Sequence, residues 1–575
     1  MKHMILLIGL LMTLQSTGAT WVPPLGIPEP QFGINEQAPS RPAAWPGAAS
    51  VDSYYIDNTH PSATDTANAY GYPNKPRMTI PDRLIVVANS LVEIHGGPYL
   101  TTTTSYAWGI NSSTTNPPTS LAPAFIRGFD NVVIGASQAA INAGAQSRID
   151  IGRTDFRYTI IEGIHFKLLV GIMGSTAHHA CIRNCESSET LGCAMGVGPF
   201  EAGTIHDIVF YNNRIHDTAY WDSIDRDWDY HGIGIDTYGR TAATSLYNVW
   251  VLDNTFYHCS GDSVQVNAST AGHAALHHVY IGRNTAYANR QSGFWVKQAS
   301  HVIISQNVIH TMTEHGPQPG NGIGSQYGSD NLWIIFNEIY DCAFGIRQSD
   351  TGAGFADHNA YYVGNYIHDA NQLNDSSHWQ SPSGWGISFW SGGLNRHVVD
   401  NTIVNVYGGI EMIQAGPVYG KGNLIYNLKP NEFPLIFGTY RSHIECGGDG
   451  VNVDFVNCLL YGNAGGASQL ARVKWLGTQY TTLSSARTAL GKLANCVEAA
   501  PLMNGVKLQA NSPAIDAGTQ SDVYQKFQDL YGINIRRGFN GGVRPSGAGW
   551  DIGACEYDHA PIPAPKGFRQ EPLPR

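Results

Sequence analysis

Charge is scarce in this chain. Asp, Glu, Lys and Arg make up 14% of its 575 residues, against about 25% in an ordinary soluble domain. That excludes a long coiled coil, which is rich in Glu, Lys and Arg. It also excludes a disordered chain, which combines low hydrophobicity with high charge density, because 42% of these residues are hydrophobic. Basic runs are absent, and 34 basic against 45 acidic residues leave a formal charge of −11, so nucleic acid is not an expected partner. No paired CxxC motif argues for zinc, and no phosphate loop, GxSxG elbow or dinucleotide fingerprint stands in a fitting context. Long apolar runs are missing too. The run Met4–Leu14 has 11 residues, short of the ~20 that span a bilayer. With Lys2 and His3 before it and Thr17-Gly18-Ala19 after it, it reads as a signal peptide over 1–19. The expectation is a secreted protein, extracellular or periplasmic, with no membrane insertion.

What the chain has in plenty is 64 Gly, 29 Tyr and 13 Trp, which suits an all-β protein with many turns. Nine cysteines follow the leader: Cys181, Cys185, Cys193, Cys259, Cys342, Cys446, Cys458, Cys496 and Cys555. The odd number leaves at least one unpaired. The spacing of Cys181, Cys185 and Cys193 would allow one bridge, and several others sit at apolar strand positions as small core residues.

A repeat organises the middle of the chain. Segments such as VFYNNRIHD, VLDNTFYHC, IISQNVIHT, IIFNEIYDC and VVDNTIVNV share an apolar alternation around one Asn. That residue is Asn213, Asn254, Asn284, Asn307, Asn337, Asn365, Asn401 and Asn423, with Asn184 and Asn457 extending the row. A second short strand beginning G-I or similar follows each time. Period-2 alternation rich in Val, Ile and Tyr marks strands. One strand pair cannot bury its own apolar face, but stacked coils can. The recurring Asn then lines up at one corner, where each amide can bond the amides above and below. The pattern predicts a right-handed parallel β-helix with an Asn ladder. A propeller is the rival, but its ~40–45-residue blades fit the spacing poorly.

Three segments resemble secreted right-handed β-helix proteins of the pectate-lyase-like kind, which act on or bind polysaccharides. They are Tyr54–Leu84, the Asn array, and the stretch from SPAIDAG (Ser512–Gly518) to DIGACEY (Asp551–Tyr557). The resemblance implies that fold, secretion and an extended sugar chain as partner. It does not select a reaction, because one scaffold hosts many. The organisation expected is a signal peptide (1–19), a Pro-rich lead-in (20–49), an N-terminal cap with the first coils (50–130) and the β-helix (131–440). The last coils with a C-terminal cap (441–557) and a flexible Pro-rich tail (558–575) complete it.

Aligning the G-I strands through Ile233, Val264, Phe294, Ile323, Ile346, Ile387 and Ile410 as inward residues puts two rows outside. The first is Gly234, Gln265, Trp295, Gly324, Arg347, Ser388 and Glu411. The second is Asp236, Asn267, Lys297, Gln326, Ser349 and Trp390. Insertions at Asp217–His231, His310–Asn321 and His368–Trp385 are expected to wall the same groove, since solenoid insertions collect on one side. Tyr238, Trp385 and Trp390 add aromatic faces for sugar rings. The predicted substrate-binding set is therefore Trp295, Gln265, Asn267, Gln326, Tyr238, Trp390 and Trp385.

Lys297 lies in SGFWVKQASHVIISQN, similar to the strand that carries the base in β-helix polysaccharide lyases. This likeness implies β-elimination on an acidic, uronate-containing polysaccharide, with Lys297 removing the proton alpha to a carboxylate and Arg347 holding that carboxylate. Such lyases usually place the Arg one coil along, where this chain has Gln326. Hydrolysis by paired carboxylates is the second reading, with Asp225, Asp227, Asp229, Asp236, Asp262 and Glu314 as the acids. His231 joins the acid/base candidates because imidazole titrates near neutrality. Asp225-x-Asp227-x-Asp229 offers alternate hard oxygens for calcium, although Tyr230 stands where an EF-hand loop wants Gly. A non-catalytic polysaccharide-binding or adhesion protein, monomeric like the enzymes, is the third reading.

Overall fold

The computed structural model describes residues 21–558 except 103–105, 143–147, 153–154, 200, 220–228, 238–243, 269–271, 314–319, 350–357, 372–382, 391–393, 415, 431–440, 449 and 464–471. The expected signal peptide and nearly all of the tail lie outside the described residues.

Among the described residues, three long sheets wrap one core, with 14, 13 and 15 strands. Each coil visits them in turn. Leu276–Gly282 belongs to the first sheet, Thr285–Tyr287 to the second and Ser292–Lys297 to the third. Each strand pairs in parallel with its equivalent one coil away, as Val279 with Val302 and Phe294 with Ile323. The only antiparallel pair in the third sheet, among the described residues, is its last, Val473–Trp475 with Thr478–Tyr480. The interior is the expected stack of Ile, Val, Leu and Phe. Stacking removes both edges of every coil except the terminal ones, which is how a solenoid manages open strand edges.

The corner between the first and second sheets carries the Asn ladder. From Asn213 to Asn423, each Nδ2 donates to the next Oδ1 at 2.9–3.0 Å. The same Oδ1 accepts the backbone N–H of the preceding Asn, as from Asn254 to Asn284 at 2.9 Å. Every rung thus satisfies a buried turn. The residue before each rung is left-handed, for example Arg283 at φ 52°.

Asn184 and Asn457 do not extend the row. They occupy that left-handed position themselves, at φ 53° and 52°, and the next residues, Cys185 and Cys458, stand in the ladder. The Cys185 N–H donates to Asn213 Oδ1 at 3.0 Å, and Asn423 Nδ2 reaches Cys458 Sγ at 3.9 Å. A thiol has no amide to pass the chain of bonds onward, so the ladder ends at a cysteine on both sides. No bridge forms: all nine cysteines are free and all but Cys193 are buried.

The outward side of the first sheet is as apolar as its inside. Ile160, Cys181, Val209, Trp250, Tyr280, Ile303, Trp333 and Tyr361 stack in register along it. Two segments cover this row. The lead-in from Trp21 to Gly47 runs along the sheet as a strap. Trp21 Nε1 donates to Asp253 at 3.1 Å, the Leu25 N–H to Gln306 at 2.7 Å, and Arg183 Nη1 to the Gly33 carbonyl at 2.9 Å. The helix Val523–Tyr531 covers the C-terminal part, with Phe527 edge-on to Trp333 at 4.7 Å. Its Tyr524 hydroxyl donates to Asp400 at 2.7 Å, and the fully buried Arg544 lies between Asp400 at 3.6 Å and Glu556 at 2.8 Å. Strands covered on both faces read as continuous apolar runs, here VWV, VYI and LWII.

The short helix Leu483–Leu490 packs on the last coil at the C-terminal end of the core, beside Trp475 and Leu493. Thr482 Oγ1 accepts the Ser485 N–H at 3.1 Å and Gly491 closes it at φ 65°, the usual start and stop of a helix. Among the described residues no helix is long and apolar enough to cross a membrane.

Candidate functional site

The third sheet leaves its outer face open, and its register is the one read from the sequence. Gly234, Gln265, Trp295, Gly324, Arg347, Ser388 and Glu411 are paired one above another. Asp236, Asn267, Lys297 and Gln326 form the second row. Trp295 folds over Gly324, filling the place where a β-carbon would stand. The glycine is what lets the indole lie along the sheet toward Arg347.

A cleft of about 260 Å³ opens over these rows. Asp229, Asp262, Gln265, Gln291, Ser292 and Trp295 line one part, and Lys297, Gln326, Arg347, Ser349 and Trp390 the other. Acids gather on the coils toward the N-terminus and cations on those toward the C-terminus. A hollow of about 130 Å³ lies further N-terminal, among Leu168, Leu169, Leu191 and Tyr230. Its cations are already engaged, Arg148 by Asp150 and Lys167 by Glu189 at 2.7 Å each, so the larger cleft is the better candidate.

Asp262 is the buried acid of the site, with its side chain 4% exposed, against 51% for Asp229. Burial pushes its carboxyl up to about 7, and the Asp229 charge adds to the rise. Gln265, Lys297 and Ser292 pull the other way. Gln265 Nε2 donates to Asp262 Oδ2 at 3.1 Å, and Gln265 Oε1 accepts from Asn267 at 3.3 Å. His231 Nδ1 accepts the Asp262 backbone N–H at 3.1 Å, which puts the proton of the neutral ring on Nε2. Burial holds this imidazole below the ordinary histidine range. One oxygen from each carboxylate and the imidazole nitrogen lie within 4.8 Å of one another. Gly261 makes that approach possible, since a β-carbon there would stand 2.8 Å from both Asp229 Oδ1 and His231 Nδ1.

Lys297 ends its strand half-buried in the cleft, and its side chain makes no hydrogen bond or ion pair to any described residue. Arg347 is 3% exposed. Its guanidinium sits 4.4 Å from the Trp390 ring and 5.0 Å from Phe344. Burial lowers it to about 10, against the pull of Glu411, so it stays charged at neutral pH.

The structure therefore brings Lys297, Arg347, Gln265, Trp295, Gln326, Trp390 and Asp229 together, with His231 behind Asp262 and Asn267 behind Gln265. Asp236 is exposed at the end of its strand and does not line the cleft. Trp385 does not present its ring to the cleft. It is 2% exposed, packed with Ala343 and Phe344 beneath the Arg441 guanidinium at 5.2 Å, because Gly408 lets the ring fold down onto the sheet. Tyr238, Glu314, Asp225 and Asp227 lie outside the described residues. Gln291 and Ser292 were missed: they precede the inward Phe294, outside the rows that alternation picks out.

Residues 234–472 match the family model described as the right handed beta helix region. With the three stacked parallel sheets, this defines the chain as a right-handed parallel β-helix protein. It is similar to the GH136 lacto-N-biosidase from Eubacterium ramulus, at 15% identity and a TM-score of 0.41 over 65% of this chain and 63% of that one. It is also similar to the mannuronan C-5 epimerase AlgE4 A-module from Azotobacter vinelandii (14%, 0.32, 58% and 88%) and to pectate lyase Pel9A (13%, 0.29, 89% and 98%). The chain thus spans about 63% of the biosidase's length. No curated protein sequence matches it.

Proposed function

We propose that this protein is a secreted, monomeric enzyme that cleaves an extended acidic polysaccharide in the cleft of the third sheet by hydrolysis. The observation that carries this reading is the carboxyl pair: a buried Asp262 held near pKa 7 and an open Asp229, with oxygens within 4.8 Å. Two carboxyl groups with unlike environments divide into acid and base. A separation near ~5–5.5 Å belongs to retaining enzymes, and ~6.5–9.5 Å to inverting ones. Asp262 protonates the glycosidic oxygen while the Asp229 carboxylate attacks the anomeric carbon and forms a glycosyl ester. Water, deprotonated by the Asp262 carboxylate, then releases the sugar with retained configuration. Lys297 and Arg347 bind the uronate carboxylates beside the scissile bond, and Trp295 and Trp390 meet the sugar faces.

The β-elimination reading keeps one observation in its favour. Lys297 is uncommitted among the described residues and shares the cleft with Arg347, as a base and a carboxylate binder must. Calcium belongs to that reading. Asp229 and Asp262 supply two hard oxygens of the six to eight that calcium takes, and His231 Nδ1 is engaged by the Asp262 N–H.

A panel of uronate polymers tests both. New reducing ends without an unsaturated product support hydrolysis. The ultraviolet band of a 4,5-unsaturated sugar end moves the assignment to Lys297. Retention of the protein by the polymer with neither product leaves binding alone.

A further inference from the structure

The outer edge of the first sheet, away from the cleft, holds a second cluster of metal-binding side chains. We propose that His179, His206 and Asp207 form a structural site for a transition-metal ion of the zinc type, clipping two adjacent coils together.

The argument starts from the backbone. Strands Ala177–Arg183 and Gly203–Tyr211 pair through His178 with His206 and through Ala180 with Ile208, and the register skips His179 and Asp207. Both skipped residues are left-handed, at φ 50° and 55°. The same kink recurs at Asn248 on the next coil, at φ 54°. It lifts one side chain per coil out of the pleat and stacks them at one place.

The lifted side chains converge. His206 Nδ1 hydrogen-bonds Asp207 Oδ2 at 2.6 Å, and His179 Nε2 is 3.8 Å from the same oxygen. One atom from each residue lies within 4.8 Å of the others. Tetrahedral zinc, with bonds of about 2.0–2.2 Å, holds its ligand atoms roughly 3.3 Å apart, between the two distances found. At 3.8 Å, His179 and Asp207 are too far apart for a hydrogen bond and are spaced for a cation.

The far atoms of the ligands are held as outer partners should hold them. Asn248 Nδ2 donates to Asp207 Oδ1 at 3.0 Å, so an ion would take Oδ2 in place of the His206 hydrogen bond. His179 Nδ1 lies 2.9 Å from His178 Nδ1. A proton on His179 Nδ1 donated to His178 leaves the Nε2 lone pair facing Asp207. His206 binds through Nδ1: the ion takes the place of the proton shared with Asp207, that proton returns to the ring at Nε2 through solvent, and the neutral ring releases no net proton. Two imidazoles and one carboxylate select zinc, nickel or cobalt over calcium or magnesium, and a water completes four-coordination. The site touches the strap, because Phe32 lies edge-on to His179 at 6.5 Å.

Metal-stripped full-length protein titrated with zinc chloride, and with cobalt chloride read in the visible, tests the site. The expected result is one saturable equivalent, with the d–d bands of low-coordinate cobalt, and affinity at least ~10-fold weaker in His206→Ala and in His179→Gln. Asn248→Ala weakens binding less. Asp229→Asn, in the cleft, leaves this event in place. Circular dichroism of each metal-free variant separates lost binding from lost fold, and His179→Gln serves if His206→Ala does not fold. Absence of saturable uptake, or uptake that vanishes in Asp229→Asn and persists in folded His206→Ala or His179→Gln, overturns the proposal.

Discussion

The first and third sheets are built from the same coils on the same spacing, yet their outer faces are opposites. On the first, Trp250, Tyr280, Ile303, Trp333 and Tyr361 point out, and the strap and a helix bury them. On the third, Gln265, Trp295, Arg347 and Glu411 occupy the equivalent outward row, and a cleft stays open above it. Inward residues do not differ in kind, so the backbone does not distinguish the faces. What differs is whether the outward row can bury itself. An apolar row costs free energy while it faces water and recruits cover. A polar row with spaced glycines recruits no such cover: Gln265, Trp295, Arg347 and Glu411 shield one another, each 7% exposed or less, and the cleft above them stays open.

The largest effect expected from breaking this contrast is at Asp262. Asp262→Asn should lower turnover about 10²–10⁴-fold in an assay on the active polymer. The same change should raise stability above neutrality. The folded-state carboxyl titrates near 7, above the ~3.9 of an unfolded chain. Between those values the folded state holds the extra proton, so wild-type stability falls as pH rises from about 4 to about 7. Removing the charge should restore about 1–3 kcal/mol at pH 8 and nothing below pH 4, measured by urea unfolding at both values. Wild-type turnover should fall as pH climbs through about 7, because the acid must carry its proton.

On the covered face, Trp333→Ala removes a ring stacked on Tyr361 at 3.8 Å. It should cost about 3–5 kcal/mol with KM unchanged, a split that catalytic variants do not show. Asn307→Ala should cost about 2–4 kcal/mol, because the Asn284 N–H and amide lose their acceptor at a buried corner. Arg347→Met should weaken binding of a charged polymer about tenfold and leave a neutral one unchanged, read by affinity electrophoresis. The smallest effect is expected at Gly324→Ala. The new methyl displaces the Trp295 ring and should raise KM severalfold while the melting temperature moves by about 2 °C or less.

Much of this was legible beforehand. Alternation with period 2 and one recurring Asn give the coil, and stacking of coils then dictates which outward residues share a row. That is why Gln265, Trp295 and Arg347 align as expected. Where the reading failed, the cause is physical. Asn184 and Asn457 look like rungs by type, but the corner holds two residues, a left-handed one and then the rung, and an Asn suits either place. Trp385 has the composition of a sugar platform, yet a glycine one coil along, Gly408, lets it collapse onto the sheet. The insertions expected to wall the groove, with Tyr238, Glu314, Asp225 and Asp227, fall largely outside the described residues. The apolar first-sheet face was visible as runs such as LWII, which lack the alternation of a strand with one wet side.

By itself, the sequence determined the coil, the ladder and the order of side chains along each outer row, because these follow from local periodicity repeated many times. Only tertiary structure decided which segments would cover the apolar row, which tryptophans would line the cleft, and that Asp229, His231 and Asp262 would meet. Those outcomes depend on contacts between residues far apart in sequence, and on how much water each carboxylate keeps. No local pattern encodes that.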